Sequence, residues 1–129
     1  MPVKELRVAL TVDDLDAALS FYRDTLGLPL LEAWSSQGRV FLLDAGRATL
    51  ELLDAEHAAE VDAIEVGRRV AGPVRLALEV DDSAATADAL EAAGAERLAG
   101  PIETPWRHRN VRLQAPDGMQ LTLFTVLDA

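Results

Sequence analysis

The sequence predicts an α+β protein built from two tandem modules, each with the order strand, helix, strand, strand, strand. Two observations lead to this fold class. Short segments alternate between apolar and polar residues, as half-buried strands do, while two longer segments carry apolar residues at helical spacing. In addition, the segment Arg7 to Asp14 is matched by Arg75 to Asp82, 68 positions later along the chain. Such self-similarity indicates an internal duplication.

Residues 5–54 form the first predicted module. Alternation over residues 6–12 is typical of a strand with one buried face. Asp14 then offers a helix N-cap, and apolar residues recur at helical spacing as far as Leu26, before Gly27 ends the helix. Short turns separate three further predicted strands, at residues 30–34, 39–44 and 48–53.

The second predicted module, residues 73–127, repeats this order. A strand over 75–80 precedes a helix that begins at Ser83 and ends at Gly94. The remaining three strands are predicted at 96–99, 110–114 and 119–126, with a Pro-Asp-Gly turn at 116–118 before the last one.

Between the modules lies an acidic, Ala-rich linker, residues 55–72, which can hold one short helix. Its charged side chains are expected to form a solvated face. With 129 residues in all, the chain is expected to fold as a single domain that contains both modules and the linker.

The charge balance argues against several classes of partner. The 22 acidic residues outnumber the 12 basic ones, for a net charge of −10, whereas nucleic-acid binding requires clustered basic side chains. No apolar run is long enough to span a membrane, and the N-terminus lacks a signal-peptide core. The absence of cysteine excludes disulfides and thiolate metal ligands. We therefore expect a cytoplasmic protein that binds neither nucleic acid nor membrane.

Several motifs carry a resemblance to a known family. They are the run Val-Asp-Asp-Leu…Phe-Tyr-Arg-Asp-Thr-Leu-Gly-Leu of residues 12–28, Val-Asp-Asp at 80–82, Thr-Pro-Trp at 104–106 and Pro-Asp-Gly at 116–118. In this order and spacing they resemble the vicinal oxygen chelate superfamily, which includes glyoxalase I, extradiol dioxygenases and bleomycin resistance proteins. The resemblance covers residues 6–126. It implies that the two modules form a curled mixed sheet, or a pair of half-barrels, around a cavity.

The alternation along the strands then predicts which side chains face this cavity. Many of the side chains predicted to face the cavity are polar or charged. Because burying them without partners would be costly, the cavity is expected to hold a ligand rather than serve as core. The resemblance adds the tryptophan of the Thr-Pro-Trp loop. The candidate ligand-binding residues are Arg7, Phe41, Glu51, Arg75, Trp106, Asn110, Arg112 and Thr122.

A divalent metal ion is not expected in this cavity. The resemblance places the metal of related enzymes on four strand positions, which here are Arg7, Glu51, Arg75 and Thr122. Of these only the carboxylate is a good ligand, because arginine stays protonated and offers no lone pair. One carboxylate and one hydroxyl cannot replace the usual three or four ligands. The sequence therefore predicts no metal site and no other cofactor.

Two interpretations of the arginines stay open. In the structural one, Arg7 and Arg75 flank Glu51 in a salt-bridged cluster that fills the former metal site. In the functional one, the guanidinium groups donate hydrogen bonds to a ligand carboxylate, phosphate or enolate. Arg112 favours the second interpretation slightly, because its sequence context offers no evident acidic partner.

The two histidines are weaker candidates. His57 lies in the acidic linker and is expected to be solvated. His108 lies between Arg107 and Arg109, which would disfavour its protonation, and it is expected on a surface loop.

Two functional hypotheses of different classes follow. The first, which we favour, is a metal-independent small-molecule binding protein that sequesters an aromatic or cationic ligand, as the bleomycin resistance proteins do. The second is a lyase, isomerase or dioxygenase-type enzyme of the same superfamily that uses Glu51 as the catalytic base near Arg7 and Arg75. The resemblance also implies a homodimer, because relatives cover their open sheet edges by pairing two chains.

Overall fold

Each half of the chain contributes four strands to one mixed sheet in the computed structural model, which describes residues 2–25, 27–116 and 118–128. The strands lie in the order β2-β3-β4-β1-β5-β8-β7-β6, so the first strands of the two modules meet at its centre. The predicted α+β class and the open, mixed sheet of two tandem modules are confirmed. The strands are β1 (Glu5–Thr11), β2 (Leu30–Ser36), β3 (Gly38–Asp44), β4 (Thr49–Leu53), β5 (Val74–Glu79), β6 (Glu96–Glu103), β7 (His108–Gln114) and β8 (Gln120–Val126).

Among the described residues, three α-helices accompany the sheet: α1 (Leu15–Leu19), α2 (Ala55–Glu65) and α3 (Ser83–Ala92). The chain continues from α1 as a π-helical segment over Ser20–Thr25. Asp14 caps α1 as predicted, since its side chain accepts a hydrogen bond from the backbone N–H of Ala17. The predicted helix end at Leu26 and Asp117 of the predicted turn lie outside the described residues. Within the described part of the chain, no helix is long and apolar enough to cross a membrane.

Helices α1 and α3 cover the same face of the sheet, one on each module. Under α1, Leu15 and Leu19 pack with the buried Leu43 and Leu52. Under α3, an equivalent cluster joins Ala87 to strands β7 and β8 through Val111, Leu113 and Leu123. Both clusters consist of side chains at alternate strand positions, so the period of two in the sequence determines this face.

Helix α2, the short helix allowed for in the linker, lies on the opposite face, and the expectation of a solvated charged face is wrong. Residues 55–65 form an eleven-residue helix that packs on the sheet instead of a solvated segment. Ala58 and Val61 are buried together with Ala9, Val40 and Leu53 of the strands. Its acidic residues do not all face solvent either, because Asp62 and Glu65 are almost completely buried.

Both buried carboxylates of α2 form ion pairs with one arginine of β7. Arg112, whose side chain is 0% exposed, donates from Nη1 to Asp62 at 2.8 Å and from Nη2 to Glu65 at 3.0 Å. Asn110 donates to the second oxygen of Glu65 at 2.9 Å. The expectation that Arg112 lacks an acidic partner is therefore wrong, because its partners come from a helix far away in the sequence.

Asp62 is the most heavily bonded of these groups. Burial alone would raise the pKa of this carboxyl, but hydrogen bonds from the backbone of Ala71 and Val70 and from the side chains of Arg112 and Arg69 lower its pKa to about 2. The carboxylate thus remains charged in the folded protein at any ordinary pH, and it ties the segment after α2 to the helix.

A glycine allows α2 to begin close to the sheet. Gly38, at the start of β3, has φ of +72°, and a Cβ built there would lie 2.1 Å from Oδ1 of Asp54 and 2.5 Å from the backbone nitrogen of His57. Asp54 is the N-cap of α2 and bonds the N–H of His57 at 2.8 Å. Any other residue at position 38 would push the first turn of α2 away from β3.

The Arg112 pairs predict a large effect of one substitution. Arg112→Met removes the guanidinium, which leaves Glu65 buried without a cation and Asp62 paired with Arg69 alone, so we expect the free energy of unfolding to fall by about 3–5 kcal/mol. Arg97→Met is the matched control, because Arg97 pairs with Asp88 and Glu91 at the surface and its loss should cost less than about 1 kcal/mol. Urea unfolding measures both, and equal losses in the two variants would contradict this account.

Candidate functional site

A cavity of about 470 Å³ lies on the face of the sheet that α2 partly covers. Strands β1, β4, β5 and β8 provide its floor, α2 provides one wall, and the loop before β7 provides another. Six of the eight predicted site residues line this cavity: Arg7, Glu51, Arg75, Trp106, Asn110 and Thr122.

Phe41 does not line the cavity, and its predicted orientation is wrong. Its side chain packs on the α1 side of the sheet, with Leu52 and the other residues of that cluster. The register explains this, because Phe41 lies opposite Leu52 while Leu42 lies opposite Glu51. Directly opposed residues point to the same face, so Leu42 and not Phe41 shares the face of Glu51. Arg112 is also absent from the cavity wall, since α2 buries it.

The salt-bridged cluster of Arg7, Glu51 and Arg75 does not form. Arg7 pairs instead with Glu5, from Nε to Oε1 at 3.1 Å. Arg75 donates from Nη1 to the hydroxyl of Thr122 at 2.7 Å. Within residues 2–25, 27–116 and 118–128, Glu51 has no ion pair with either arginine and no side-chain hydrogen bond. The structural interpretation of these arginines therefore lacks the contacts it requires.

The backbone register separates these groups. Glu51, Ala9 and Arg75 lie side by side on β4, β1 and β5. Two strand spacings, about 10 Å in all, therefore separate the Cα atoms of Glu51 and Arg75. The methyl group of Ala9 lies between them and contributes no charge, so Glu51 reaches the cavity as a half-buried carboxylate without a partner in the described structure.

An aromatic and cationic group lies beside this floor. His108 stacks on Phe124 with ring centroids 4.8 Å apart, and the guanidinium of Arg7 lies 5.0 Å from the centroid of the same ring. All three residues line the cavity. The expectation that His108 lies on a surface loop is therefore wrong, because it begins β7 and lines the cavity. Burial, and then the positive charge of Arg7 rather than of its sequence neighbours, lowers the pKa of His108 to about 4.

His57 is the second histidine that the sequence reasoning placed wrongly. It is buried at the start of α2 and lines the cavity. Its Nδ1 lies 3.1 Å from the carbonyl oxygen of Gln37 and 3.2 Å from Oε2 of Glu60. Both neighbours can only accept, so Nδ1 carries the proton and Nε2 is an acceptor in the neutral ring. Asp54, an N-cap residue three positions before His57, is the sequence signal that could have located this helix start.

The residues at the four family metal positions do not fit a divalent cation. Two of them are guanidinium groups, which carry positive charge and have no free lone pair. The hydroxyl of Thr122 accepts a hydrogen bond from Arg75, which directs its lone pair toward a cation that is already present. Only Glu51 could ligate a metal there.

A profile of the family described as the Glyoxalase/Bleomycin resistance protein/Dioxygenase superfamily matches residues 6–123. The chain belongs to this superfamily. Among curated relatives, lactoylglutathione lyase of Haemophilus influenzae is 35% identical over 108 residues, which cover 76% of this chain and 75% of that protein. The uncharacterized protein YraH of Bacillus subtilis is 28% identical over 131 residues, covering 97% and 100% of the two chains.

Solved structures of other proteins share the fold. Methylmalonyl-CoA epimerase from Mycobacterium tuberculosis superposes with a TM-score of 0.71 at 25% identity, covering 98% of this chain and 90% of that one. The hypothetical protein BH1468 from Bacillus halodurans has a TM-score of 0.70 at 18% identity, covering 99% and 96%, and supports the fold alone. The vicinal oxygen chelate resemblance inferred from the motifs is thereby confirmed.

The environment of His108 predicts an unusual titration. Since the folded pKa of about 4 lies below the ordinary value of 6.5, the unfolded chain binds a proton more readily between these values. The contribution of His108 to stability is therefore intact above pH 6.5 and falls as the pH drops toward 4. NMR titration of the imidazole signals, assigned with a His57→Gln variant, should show His108 neutral at pH 5. A midpoint near 6.5 would contradict this environment.

Proposed function

We propose that this superfamily member binds a small organic molecule in the cavity without a metal ion. The observation that supports this most directly is the pair of arginines at the family metal positions, with Arg75 bonded to Thr122 at 2.7 Å. A metal would have to displace or neutralise two fixed cations, whereas a ligand needs only the space that is present. A volume of about 470 Å³ is in the range of small-molecule sites.

The ligand we propose has a flat, apolar part. Trp34, Trp106 and Phe124 all line the cavity, and aromatic side chains provide large contact areas with defined ring geometry. Of the two ligand types expected from the sequence, the aromatic one is supported by these rings. A cationic ligand has less support, because Arg7 and Arg75 would repel it from the floor, although Glu51 and Glu32 also line the cavity.

Catalysis is the second candidate, and Glu51 is the observation in its favour. A carboxylate without an ion-pair partner, half-buried in a cavity that also contains cations, has the arrangement of a general base. The names of two related proteins, lactoylglutathione lyase and methylmalonyl-CoA epimerase, describe enzymes. Under this alternative, Glu51 would remove a proton and Arg75 would stabilise the resulting oxyanion, with no metal involved.

Two measurements test metal independence, and a third distinguishes binding from catalysis. Protein purified without chelator should contain far less than one equivalent of metal, and EDTA should leave binding of 2-naphthylacetate unchanged, as followed by tryptophan fluorescence. Incubation with methylmalonyl-CoA or lactoylglutathione in D₂O should give no deuterium incorporation beyond the uncatalysed rate. One metal per chain, or binding that is lost with EDTA and restored by a divalent ion, would contradict metal independence.

The catalytic alternative predicts the opposite result for deuterium incorporation. If wild-type protein incorporates deuterium, Glu51→Gln should reduce the rate by about a hundredfold or more, because the amide cannot accept the proton. Glu32→Gln is the matched control, since Glu32 lines the same cavity from the exposed strand β2. Exchange that depends on Glu51 and not on Glu32 would establish an enzyme in place of a binding protein.

We also propose that the protein is a homodimer. Strand β2 is an edge strand whose seven residues are all exposed, including the apolar side chains of Leu30, Leu31 and Trp34. A second copy that covers this strand would bury apolar surface and protect an unpaired sheet edge. Light scattering should give twice the chain mass of 13.9 kDa at micromolar concentration, and Leu31→Glu should shift the protein toward monomer. A monomeric wild-type protein would refute this.

A further inference from the structure

Arg75 is a buried cation without an anion. The residue is 7% exposed, and within the described structure its side chain makes a single hydrogen bond, from Nη1 to Thr122. In the described ranges of the chain, no carboxylate oxygen lies within 4.0 Å of its guanidinium group. A buried charge without a partner is strongly unfavourable, so proteins keep one where something else supplies the opposite charge.

The carboxylates under α2 cannot supply that charge. Asp62 already accepts hydrogen bonds from Arg69, Arg112 and the backbone N–H groups of Val70 and Ala71. Glu65 is engaged by Arg112 and by Asn110. Two carboxylates are thus matched by two arginines, and the charge of Arg75 is left over.

The free edge of Arg75 is accessible. Nε and Nη2 of Arg75 have no hydrogen-bond partner in the described structure. Unlike Oδ1 of Asn110 and Nε of Arg112, which also lack a partner, they are not completely buried. Both nitrogens therefore retain some solvent exposure, and Arg75 lines the cavity. Nε–H and Nη2–H point in parallel from one edge of a guanidinium group, a geometry that matches the two oxygens of a carboxylate or phosphate.

A second guanidinium, that of Arg7, borders the same floor, although it also pairs with Glu5. Arg75 reaches Thr122 and Arg7 reaches the ring of Phe124, two residues further along the same face of β8. The Cα atoms of residues at that spacing on a strand are about 7 Å apart, so the two guanidinium groups border neighbouring parts of the cavity floor. Ala77 pairs with both Arg7 and Thr122, and its methyl group leaves space on the floor between them.

We propose that Arg75, assisted by Arg7, forms an anion subsite on the cavity floor for a ligand oxyanion, a carboxylate or a phosphate, whose apolar part lies against Phe124 and Trp106. This rests on the proposed small-molecule function and specifies its ligand class. Glu51 marks the other end of the floor, where a second anionic group would be repelled. The subsite therefore favours a ligand with its oxyanion at one end.

The test uses four probes that share one ring system: 2-naphthylacetate, 2-naphthyl phosphate, 2-naphthylacetamide and 2-(2-naphthyl)ethylamine. Tryptophan fluorescence and thermal melts report binding. Wild-type protein should bind at least one of the two anions about tenfold or more tightly than the amide, and the amine should bind most weakly. The stronger of the two anions identifies the carboxylate or the phosphate as the oxyanion source.

The variants locate the effect. Arg75→Met should remove the preference for the anion over the amide, and Arg75→Lys should recover only part of it, because an ammonium lacks the paired N–H edge. Arg97→Met changes the net charge equally at a distant surface pair and should keep the preference. Arg75→Met should also raise the Tm of the ligand-free protein by about 4 °C, because it removes an uncompensated buried charge. A structural arginine would give the reverse shift.

The possible outcomes distinguish failure of the anion subsite from failure of the proposed small-molecule binding. Equal affinity of the amide and both anions in wild-type protein would overturn the anion subsite and leave small-molecule binding intact. A preference that survives Arg75→Met, or a lower Tm of that variant, would also overturn the subsite. Failure of all four probes to bind would overturn the subsite and the proposed function together.

Discussion

The ion pairs between Arg112 and the two carboxylates of α2 hold the rest of the site in place. They fix a helix on the face of the sheet that would otherwise be an open groove, and the helix brings His57 and Glu60 to the cavity wall. The same helix packs Ala58 and Val61 on Val40 and Leu53. The shape of the cavity therefore depends on the buried ion pairs of Arg112 as well as on the sheet.

The division of charge on this face has a simple pattern. Beneath α2, acids and arginines are matched and each carboxylate is fully bonded. On the cavity floor they are not matched, since Arg75 has a hydroxyl for a partner and Glu51 has no ion pair in the described structure. The matched charges stabilise the fold, whereas the unmatched ones are available to a ligand.

The sequence predicted the fold and most of the cavity floor for a physical reason. Along β1, β4, β5 and β8, polar and apolar residues alternate, so the orientation of Arg7, Glu51, Arg75 and Thr122 follows from the period of two. In β3 the run Val40-Phe-Leu-Leu43 is apolar throughout, so polarity does not indicate its faces, and Phe41 was assigned to the wrong one.

The remaining errors concern contacts between segments distant in sequence. Arg112 and Asp62 are 50 positions apart, and nothing in the local pattern of either residue indicates the other. An acidic, Ala-rich segment is typical of a solvated linker. Its local sequence does not indicate that Arg112 of β7 pairs with its carboxylates and so allows them to be buried. His108 shows the same limit, because its low pKa comes from burial and from Arg7 rather than from the arginines beside it in the chain.

The duplication leaves the two halves of the cavity floor related but unequal. Parallel pairing places Glu51 beside Ala9 in the first half and Thr122 beside Ala77 in the second, at equivalent positions of the repeat. A floor with two identical halves would accept an elongated guest in either of two opposite directions. Here the first half carries the negative charge of Glu51 where the second half has the neutral Thr122, so the two ends of the floor differ in charge. Divergence at this pair of equivalent positions thus makes the duplicated sheet electrostatically asymmetric.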